Sequence, residues 1–313
     1  MTTARVPYDE FSLFHENAEE FGITYDGPPV VRREFVEVDL GRRLSALVWG
    51  DAPAELVLIH GGAQNAHTWD TVALALGRPL VAIDLPGHGH SDGGRNGSLD
   101  VVTNAQDVAT AIRALAPDTR LVVGMSLGGA TTLALADHAP DLVRSAVLVD
   151  VTPGVNESKS SHIGAFVNGP ESFDSFDDLL ARTIEFNPTR SEASLRRGIL
   201  HNAEQREDGS WVWRYARFRT DDDHERSEHP DFAFLWDVIG AFDAPLVLAR
   251  GMREGSVVDD ADEVELLRRK PDARVVHFEN AGHSIQGDSP VELAALLDEL
   301  VGGASSQLDE VVS

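Results

Sequence analysis

The 313-residue chain contains no cysteine. This absence excludes disulfide bonds, thiolate metal sites and a cysteine nucleophile, so covalent catalysis would have to use Ser, Thr, Asp or Glu. Basic residues are also scarce, with 26 Lys and Arg against 52 Asp and Glu and a formal net charge of -26. Because a surface of that sign repels phosphate backbones and anionic lipid head groups, we expect neither a nucleic-acid nor a membrane partner.

Long apolar segments are lacking as well. The N-terminus has no continuous apolar run of the kind found in signal peptides, and no later segment approaches membrane-spanning length. We therefore expect a cytoplasmic protein. At 313 residues and 42% hydrophobic composition, the chain is long enough for one large core with a smaller inserted domain.

Short apolar runs bounded by glycine and proline alternate with helix-patterned stretches along much of the chain. The alternation predicts an α/β fold, a doubly wound and mostly parallel sheet with helices on both sides. Residues 34–39 and 43–49 flank a turn at Gly41 and predict an antiparallel hairpin at the sheet edge. The predicted buried strands are 56–59, 80–83, 121–123, 146–149, 246–249 and 275–278.

One interval breaks the alternation. Between residues 153 and 240 there is no convincing buried strand, but residues 173–186 and 192–202 have helical patterns. A long helical insertion between two core strands predicts a cap over the strand ends. The predicted segments are an N-terminal arm (1–29), a core (30–152 and 241–303), the cap (153–240) and a flexible tail (304–313). The arm, with a helix near residues 8–23, is expected to dock on the body or on a second subunit of a homodimer.

The strongest chemical signal is the segment Gly124-Met125-Ser126-Leu127-Gly128-Gly129, which follows a predicted strand and precedes a helical stretch. Strand, tight turn and helix form the context in which a G-x-S-x-G motif exposes a nucleophilic serine. A serine hydroxyl needs an adjacent base, and the helix behind Ser126 directs amides toward the anion that forms on attack. We predict that Ser126 is a nucleophile.

Two loops supply candidate partners for Ser126. The segment His60-Gly61-Gly62-Ala63 ends a buried strand, so the Gly62 amide is a candidate oxyanion donor together with the Leu127 amide. His283 lies on a small-residue loop after the last predicted strand and is the candidate base. Asp84, His88 and His90 in DLPGHGHS lack a further ligand set, so they are interpreted as a tight loop rather than a metal site.

The set HGG, DLPGHGHS, GMSLGG and AGH, in that order over residues 33–300, resembles the α/β-hydrolase superfamily. The resemblance implies an eight-stranded sheet with a cap inserted after strand six. It also implies nucleophile and base roles for Ser126 and His283, and an oxyanion hole formed by Gly62 and Leu127. No cofactor or metal is expected, because serine, histidine and a carboxylate complete the chemistry.

The third catalytic residue departs from the usual pattern. Most relatives carry an aspartate after strand seven, but that loop here has none before Asp259. Some family members carry the acid directly after strand six, where this chain has Asp150, and a buried strand end suits a carboxylate that orients an imidazole. We predict Asp150 as the acid, with Glu254 as the alternative.

The cap is expected to set specificity. Aromatic walls favour a bulky hydrophobic or aromatic substrate, although such residues also build a small domain's own core. The acid after strand six and the HGGAQNAHTWD loop resemble lactonases that open zearalenone-like macrolactones. A generic carboxylesterase, a carbon–carbon bond hydrolase and a ligand receptor on the same fold are the alternatives. The predicted lining residues are Met125, His162, Phe166, Trp211, Trp213, Tyr215 and Phe234, with Phe218 and Trp236 in the same aromatic group.

Overall fold

The computed structural model describes residues 5–95, 100–216 and 232–309, with the backbone alone at Glu157 and at 303–309. Within these residues, eleven strands occur. They are β1 (Val31–Asp39), β2 (Arg42–Trp49), β3 (Leu56–Ile59), β4 (Leu80–Ile83), β5 (Leu121–Met125), β6 (Ala146–Val149), β7 (Ser172–Phe173), β8 (Ala203–Gln205), β9 (Trp211–Trp213), β10 (Leu246–Gly251) and β11 (Arg274–Phe278).

Eight of the strands form one sheet in the order β1-β2-β4-β3-β5-β6-β10-β11. The β1–β2 and β2–β4 pairs are antiparallel, and the other pairs are parallel. The predicted α/β class and the edge hairpin are therefore confirmed. The order also brings the carboxyl ends of β3, β5, β6, β10 and β11 to one edge, where ligands bind in sheets of this kind.

The helices cover both faces of this sheet. In β3, Val57 and Ile59 face one core cluster while Leu56 and Leu58 face the other, and all four are fully buried. Helices α3, α4 and α8 line the first cluster, and α2 and α11 line the second. The helices are α1 (Phe14–Phe21), α2 (Asp70–Leu76), α3 (Val101–Leu115), α4 (Leu127–His138), α5 (Glu157–Val167), α6 (Phe176–Phe186), α7 (Glu192–Asn202), α8 (Leu235–Ala241), α9 (Asp260–Arg269), α10 (Ile285–Asp288) and α11 (Pro290–Asp309).

The chain between β6 and β10 forms the inserted unit that the sequence predicts, but with two differences. Besides α5, α6 and α7, it contains a small sheet in the order β7-β9-β8, because short strands around Trp211 give no buried run that a pattern could reveal. Helix α8 packs against α4 and buries Leu235 and Ile239 in the main core. Residues 235–241, of which the sequence predicts 235–240 as part of the cap, therefore pack with the core.

The N-terminal arm docks on the body of the same chain. Phe14 of α1 is buried, with its ring centroid 5.0 Å from that of Trp49 in β2. The Val6 amide donates to Oε1 of Gln205 in the cap at 2.8 Å. The arm thus contacts both core and cap.

At the other end of the chain, α11 continues to Asp309, so residues 304–309, predicted as part of a tail, continue a helix. Among the helices described, none has the length and apolar content needed to cross a membrane.

The first turn of α4 lies directly against β3. A Cβ on Gly128 would lie 2.3 Å from the carbonyl oxygen of Ile59 and 2.5 Å from that of His60. Because both obstacles are backbone atoms, no rotamer change relieves the contact, and only glycine fits.

We expect Gly128→Ala to lower the free energy of unfolding by about 1–3 kcal/mol or more, since α4 must shift off β3. Urea unfolding measures this change. The matched control is Gly198→Ala in α7, where an added Cβ meets nothing within 4 Å. The control should raise stability by roughly 0.5–1 kcal/mol because alanine favours helix. Equal effects of the two substitutions would contradict the packing argument.

Candidate active site

Ser126 occupies the turn between β5 and α4. Its backbone has φ 51° and ψ −117°, a conformation that costs energy for any residue with a side chain. The Ser126 amide donates to the Val149 carbonyl at 3.2 Å, and its own carbonyl accepts from Gly129 at 2.9 Å. These bonds hold the turn in the strained geometry that the G-x-S-x-G motif predicts.

His283 and Asp150 meet at the same edge of the sheet. Asp150 directly follows β6 and is fully buried, and its Oδ2 lies 2.9 Å from Nδ1 of His283. Asp150 also has a positive φ of 45°, which turns the chain sharply out of the strand. The structure therefore brings together the histidine and the carboxylate that the sequence singles out.

Three further donors surround the Asp150 carboxylate. Oδ1 accepts from the Gly251 amide at 3.0 Å and from the Ser256 hydroxyl at 2.6 Å, and Oδ2 accepts from the Val257 amide at 3.0 Å. The loop after β10 thus supplies hydrogen-bond donors to Asp150. Glu254, the alternative acid in that loop, is exposed.

Ser126 and His283 line one cavity of about 360 Å³ between the sheet edge and the cap. Gly62, Leu127 and Met125 contribute to its core side. His162 and Phe166 of α5 contribute to its cap side, as predicted. Further apolar walls come from Val151, Val155, Ile163, Val167, Phe186, Phe232 and Val257.

The loop that carries Gly62 is braced on both sides. The Gly61 amide donates to Oε1 of Gln64 at 3.1 Å, and the Ala63 amide donates to Nε2 of His88 at 3.1 Å. In the part of the chain that the structure describes, neither the Gly62 amide nor the Leu127 amide has a hydrogen-bond acceptor. Two amides beside Ser126 are therefore available as donors, one on this loop and one at the start of α4.

Hydrogen bonds also join this loop to the cap and hold the neighbouring DLPGHGHS loop. Nδ2 of Asn202, at the end of α7, donates to the Ala63 carbonyl at 2.7 Å. His60 is fully buried, and burial lowers the pKa of its imidazole to about 3, so it is neutral and accepts from the Leu85 amide. The His90 amide donates to Oδ2 of Asp84 at 3.1 Å, as expected of a tight loop.

Four predicted lining residues lie elsewhere. Trp211 is buried in the core of the cap, and Trp213 lines a neighbouring cavity. Tyr215 pairs with His88 through an isolated bridge, and Phe234 precedes α8 with 48% of its surface exposed. Trp211 and Trp213 belong to the packing of the cap, and none of the four residues is among the walls of the Ser126 cavity. Phe218 lies outside the described residues.

A buried network of charged groups, which the sequence does not reveal, joins the arm to the core. Arg33 of β1 donates to Oδ2 of Asp84 at 2.8 Å and also bonds Glu10 of the arm. Nε2 of His67 lies 3.1 Å from Oε2 of Glu10, and its Nδ1 lies 2.8 Å from Oδ2 of Asp70. In the sequence, Glu10 lies in an acidic stretch that resembles an ordinary exposed segment. No local pattern therefore indicates that Glu10 pairs with Arg33 and His67.

The network shifts the ionisation of its members. Burial alone would favour neutral His67, but the charge and hydrogen bond of Asp70, with help from Glu10, raise the pKa of His67 to about 9. Burial likewise disfavours ionised Glu10, yet hydrogen bonds from His67 and Arg33 lower the pKa of Glu10 to about 2. Around neutral pH the network therefore contains paired charges.

The described residues contain one group that could be considered for a metal ion, formed by His67, Asp70 and His201. The ligand atoms lie within 4.8 Å of one another, but the two imidazole rings stack at 3.9 Å with an angle of 14°. A metal ion binds in the plane of an imidazole, so two parallel rings cannot both hold it without rotating. The arrangement fits an ion pair with a stacked His201, not a ready metal site.

A family model described as alpha/beta hydrolase fold matches residues 55–290. The chain belongs to the α/β-hydrolase family. Within that family, esterase Rv0045c of Mycobacterium tuberculosis is 44% identical over 296 residues, covering 92% of this chain and 94% of the relative. A solved structure of that esterase matches with a TM-score of 0.82 at 42% identity, covering 95% of this chain and 100% of that one. The sn-1-specific diacylglycerol lipase ABHD11 of Mus musculus is 26% identical, covering 78% of this chain and 80% of the relative.

We expect the stabilising effect of His67 to depend on pH. Its pKa in the folded protein, about 9, lies above the ordinary value of 6.5, so its contribution is complete below pH 6.5 and is lost as pH rises through 9. The difference in unfolding free energy between wild type and His67→Gln should therefore shrink over this range. Exposed His138, substituted by Gln, provides the baseline. A difference that stays constant with pH would show that His67 is not a stabilising imidazolium.

Proposed function

We propose that the protein is a serine hydrolase that cleaves carboxylic esters through an acyl-enzyme on Ser126. The observation that carries the proposal is the 2.9 Å contact between His283 and buried Asp150, with His283 and Ser126 lining one cavity. The 44% identity to an esterase supports the same reaction class.

The hydrogen bond to Asp150 determines the role of His283. When Nδ1–H donates to Asp150, Nε2 carries the lone pair and is available to accept a proton from the Ser126 hydroxyl. The serine oxygen then attacks the ester carbonyl, and the developing oxyanion receives the free amides of Gly62 and Leu127. The positive end of α4 adds to this stabilisation.

Collapse of the tetrahedral intermediate transfers the proton from His283 to the leaving alcohol and leaves an acyl group on Ser126. Water, activated by the same imidazole, then attacks the acyl-enzyme, and a second collapse releases the carboxylic acid. Four hydrogen-bond donors hold the buried Asp150 carboxylate in place beside His283. The carboxylate thereby stabilises the imidazolium that forms in each half-reaction.

The cavity walls support an apolar acyl or alcohol group. Phe166, Phe186 and Ile163 line the cap side and exclude water from the reacting carbonyl. A zearalenone-like macrolactone stays a narrower prediction, which rests on the resemblance of the acid after strand six and of the HGGAQNAHTWD loop. Trp211, Trp213 and Tyr215, which favoured a bulky aromatic substrate, do not line this cavity. In a lactone, the leaving alcohol would remain attached to the product.

We expect wild type to release acid from simple aryl esters, and Ser126→Ala to lose this turnover while it stays folded. Labelling of wild type by a fluorophosphonate, absent in the variant, should report an activated nucleophile directly. A panel that adds macrolactones, read by mass spectrometry as a gain of water, tests the narrower prediction. If wild type neither labels nor turns over any ester, the hydrolase proposal fails and a ligand receptor on this fold takes its place.

We expect Asp150→Asn to lower kcat by up to about 10,000-fold, because the amide stabilises the wrong histidine tautomer. Its NH2 group would also face amide donors, so a thermal melt must accompany the kinetics. Glu254→Gln is the matched control and should keep nearly normal rates, since Glu254 is exposed. The opposite ranking of the two variants would assign the acid to Glu254.

A further inference from the structure

A second cavity of about 190 Å³ lies beside the Ser126 cavity. Gln64, Phe166 and Asn187 line both, so the two spaces are neighbours that share walls. A larger share of the wall residues of the second cavity is polar than in the first cavity. Its polar walls include Asn17, Asn65, Thr68, Thr183, Ser194 and Gln286.

The charges on these walls do not cancel. Asp70 is paired with His67, and Arg197 is paired with Glu20. Arg190, between α6 and α7, also lines this cavity. Its Nη2 donates to the Ser194 hydroxyl at 2.6 Å, but no carboxylate of the described residues lies within ion-pair distance.

The guanidinium of Arg190 is also held close to the catalytic edge of the sheet. Its Nη1 lies 2.5 Å from the position that a Cβ of Gly287 would take. Gly287 belongs to α10, which begins two residues after His283. Arg190 therefore packs against the backbone of the helix that follows His283, at Gly287.

Arg190 is partly exposed, so its guanidinium, which has no paired carboxylate among the described residues, stays accessible to an anion that enters the cavity. Burial lowers the pKa of Arg190, although the charges of Asp288 and Glu20 oppose this shift, and arginine stays protonated at physiological pH. A planar guanidinium is the side chain best suited to a carboxylate, which it binds through two parallel hydrogen bonds.

Gln286 also lines the second cavity. Its Nε2 lies 3.4 Å from the Thr68 hydroxyl, while its Oε1 is buried and has no hydrogen-bond partner among the described residues.

We infer that Arg190 recognises a carboxylate on the substrate, in a subsite next to the ester-cleaving cavity, so that the preferred substrates are half-esters of dicarboxylic acids. This inference rests on the proposed esterase function. The acyl chain would run from Ser126 past Phe166 and place its terminal carboxylate in the second cavity. Arg190 would contribute to binding rather than to the chemical step.

The test compares 4-nitrophenyl esters of dicarboxylic acids of increasing chain length with the same esters capped as terminal carboxamides. We expect wild type to prefer the free carboxylate at a chain length that spans the two cavities. Arg190→Gln should lower kcat/KM for that substrate by about 10- to 100-fold, mainly through KM, and change the carboxamide by less than about twofold. Arg190→Lys should recover part of the loss, because it keeps the charge without the fork.

The matched control is Arg196→Gln, an exposed arginine on α7 whose guanidinium lies over Phe176. It should leave the carboxylate preference unchanged. Equal losses on both substrates in Arg190→Gln, or no preference in wild type at any chain length, would overturn the inference. If Arg190→Gln does not fold, the comparison of carboxylate and carboxamide esters on the wild-type enzyme alone tests the inference. Turnover of carboxamide esters without a carboxylate preference would reject only the subsite, whereas absence of all turnover would reject the esterase proposal itself.

Discussion

The candidate site depends on how two neighbouring strands end. β5 and β6 pair in parallel with Met125 beside Val149, so the residues that follow them, Ser126 and Asp150, leave the sheet side by side. Both have positive φ although neither is glycine. Hydrogen bonds hold these turns, with the Ser126 amide bonded to Val149 and the Asp150 amide bonded to Ala249 at 2.8 Å. These hydrogen bonds continue the pairing of the sheet and offset the energy cost of the two strained turns.

Much of this arrangement can be predicted from the sequence, because it depends on local patterns of apolar residues and glycines. A buried strand such as Leu56–Ile59 is apolar throughout and is followed by His60 and two glycines. Gly124 and Gly128 mark positions where backbone packs against backbone. The sequence predicts Asp150 because the alternative loop has no aspartate before Asp259, and the structure places its carboxylate beside His283, while its catalytic role stays a prediction. What the pattern could not show is that the same loop donates to Asp150 through Ser256 and Val257.

The features that sequence reasoning missed depend on contacts between distant segments. Trp211 has the same local pattern whether it lines a pocket or fills the cap, and only the packing of the cap decides between them. Glu10 and His67 are 57 residues apart, and neither indicates a buried ion pair alone. Arg190 is similar, since only the fold shows that no carboxylate of the described residues lies within ion-pair distance of it. Because the formal net charge of -26 disfavours the approach of an anion, an anionic ligand depends on a local cation such as Arg190.

The bond from Asn202 to the Ala63 carbonyl joins the last turn of a cap helix to the loop that carries Gly62. Asn65 reinforces this junction by donating to the carbonyl of His201 at 3.1 Å. These two hydrogen bonds couple α7 of the cap to the loop that carries Gly62. A ligand that displaces α7 would therefore also displace the loop that carries the Gly62 amide. Binding under the cap would in this way change how well the oxyanion is stabilised beside Ser126.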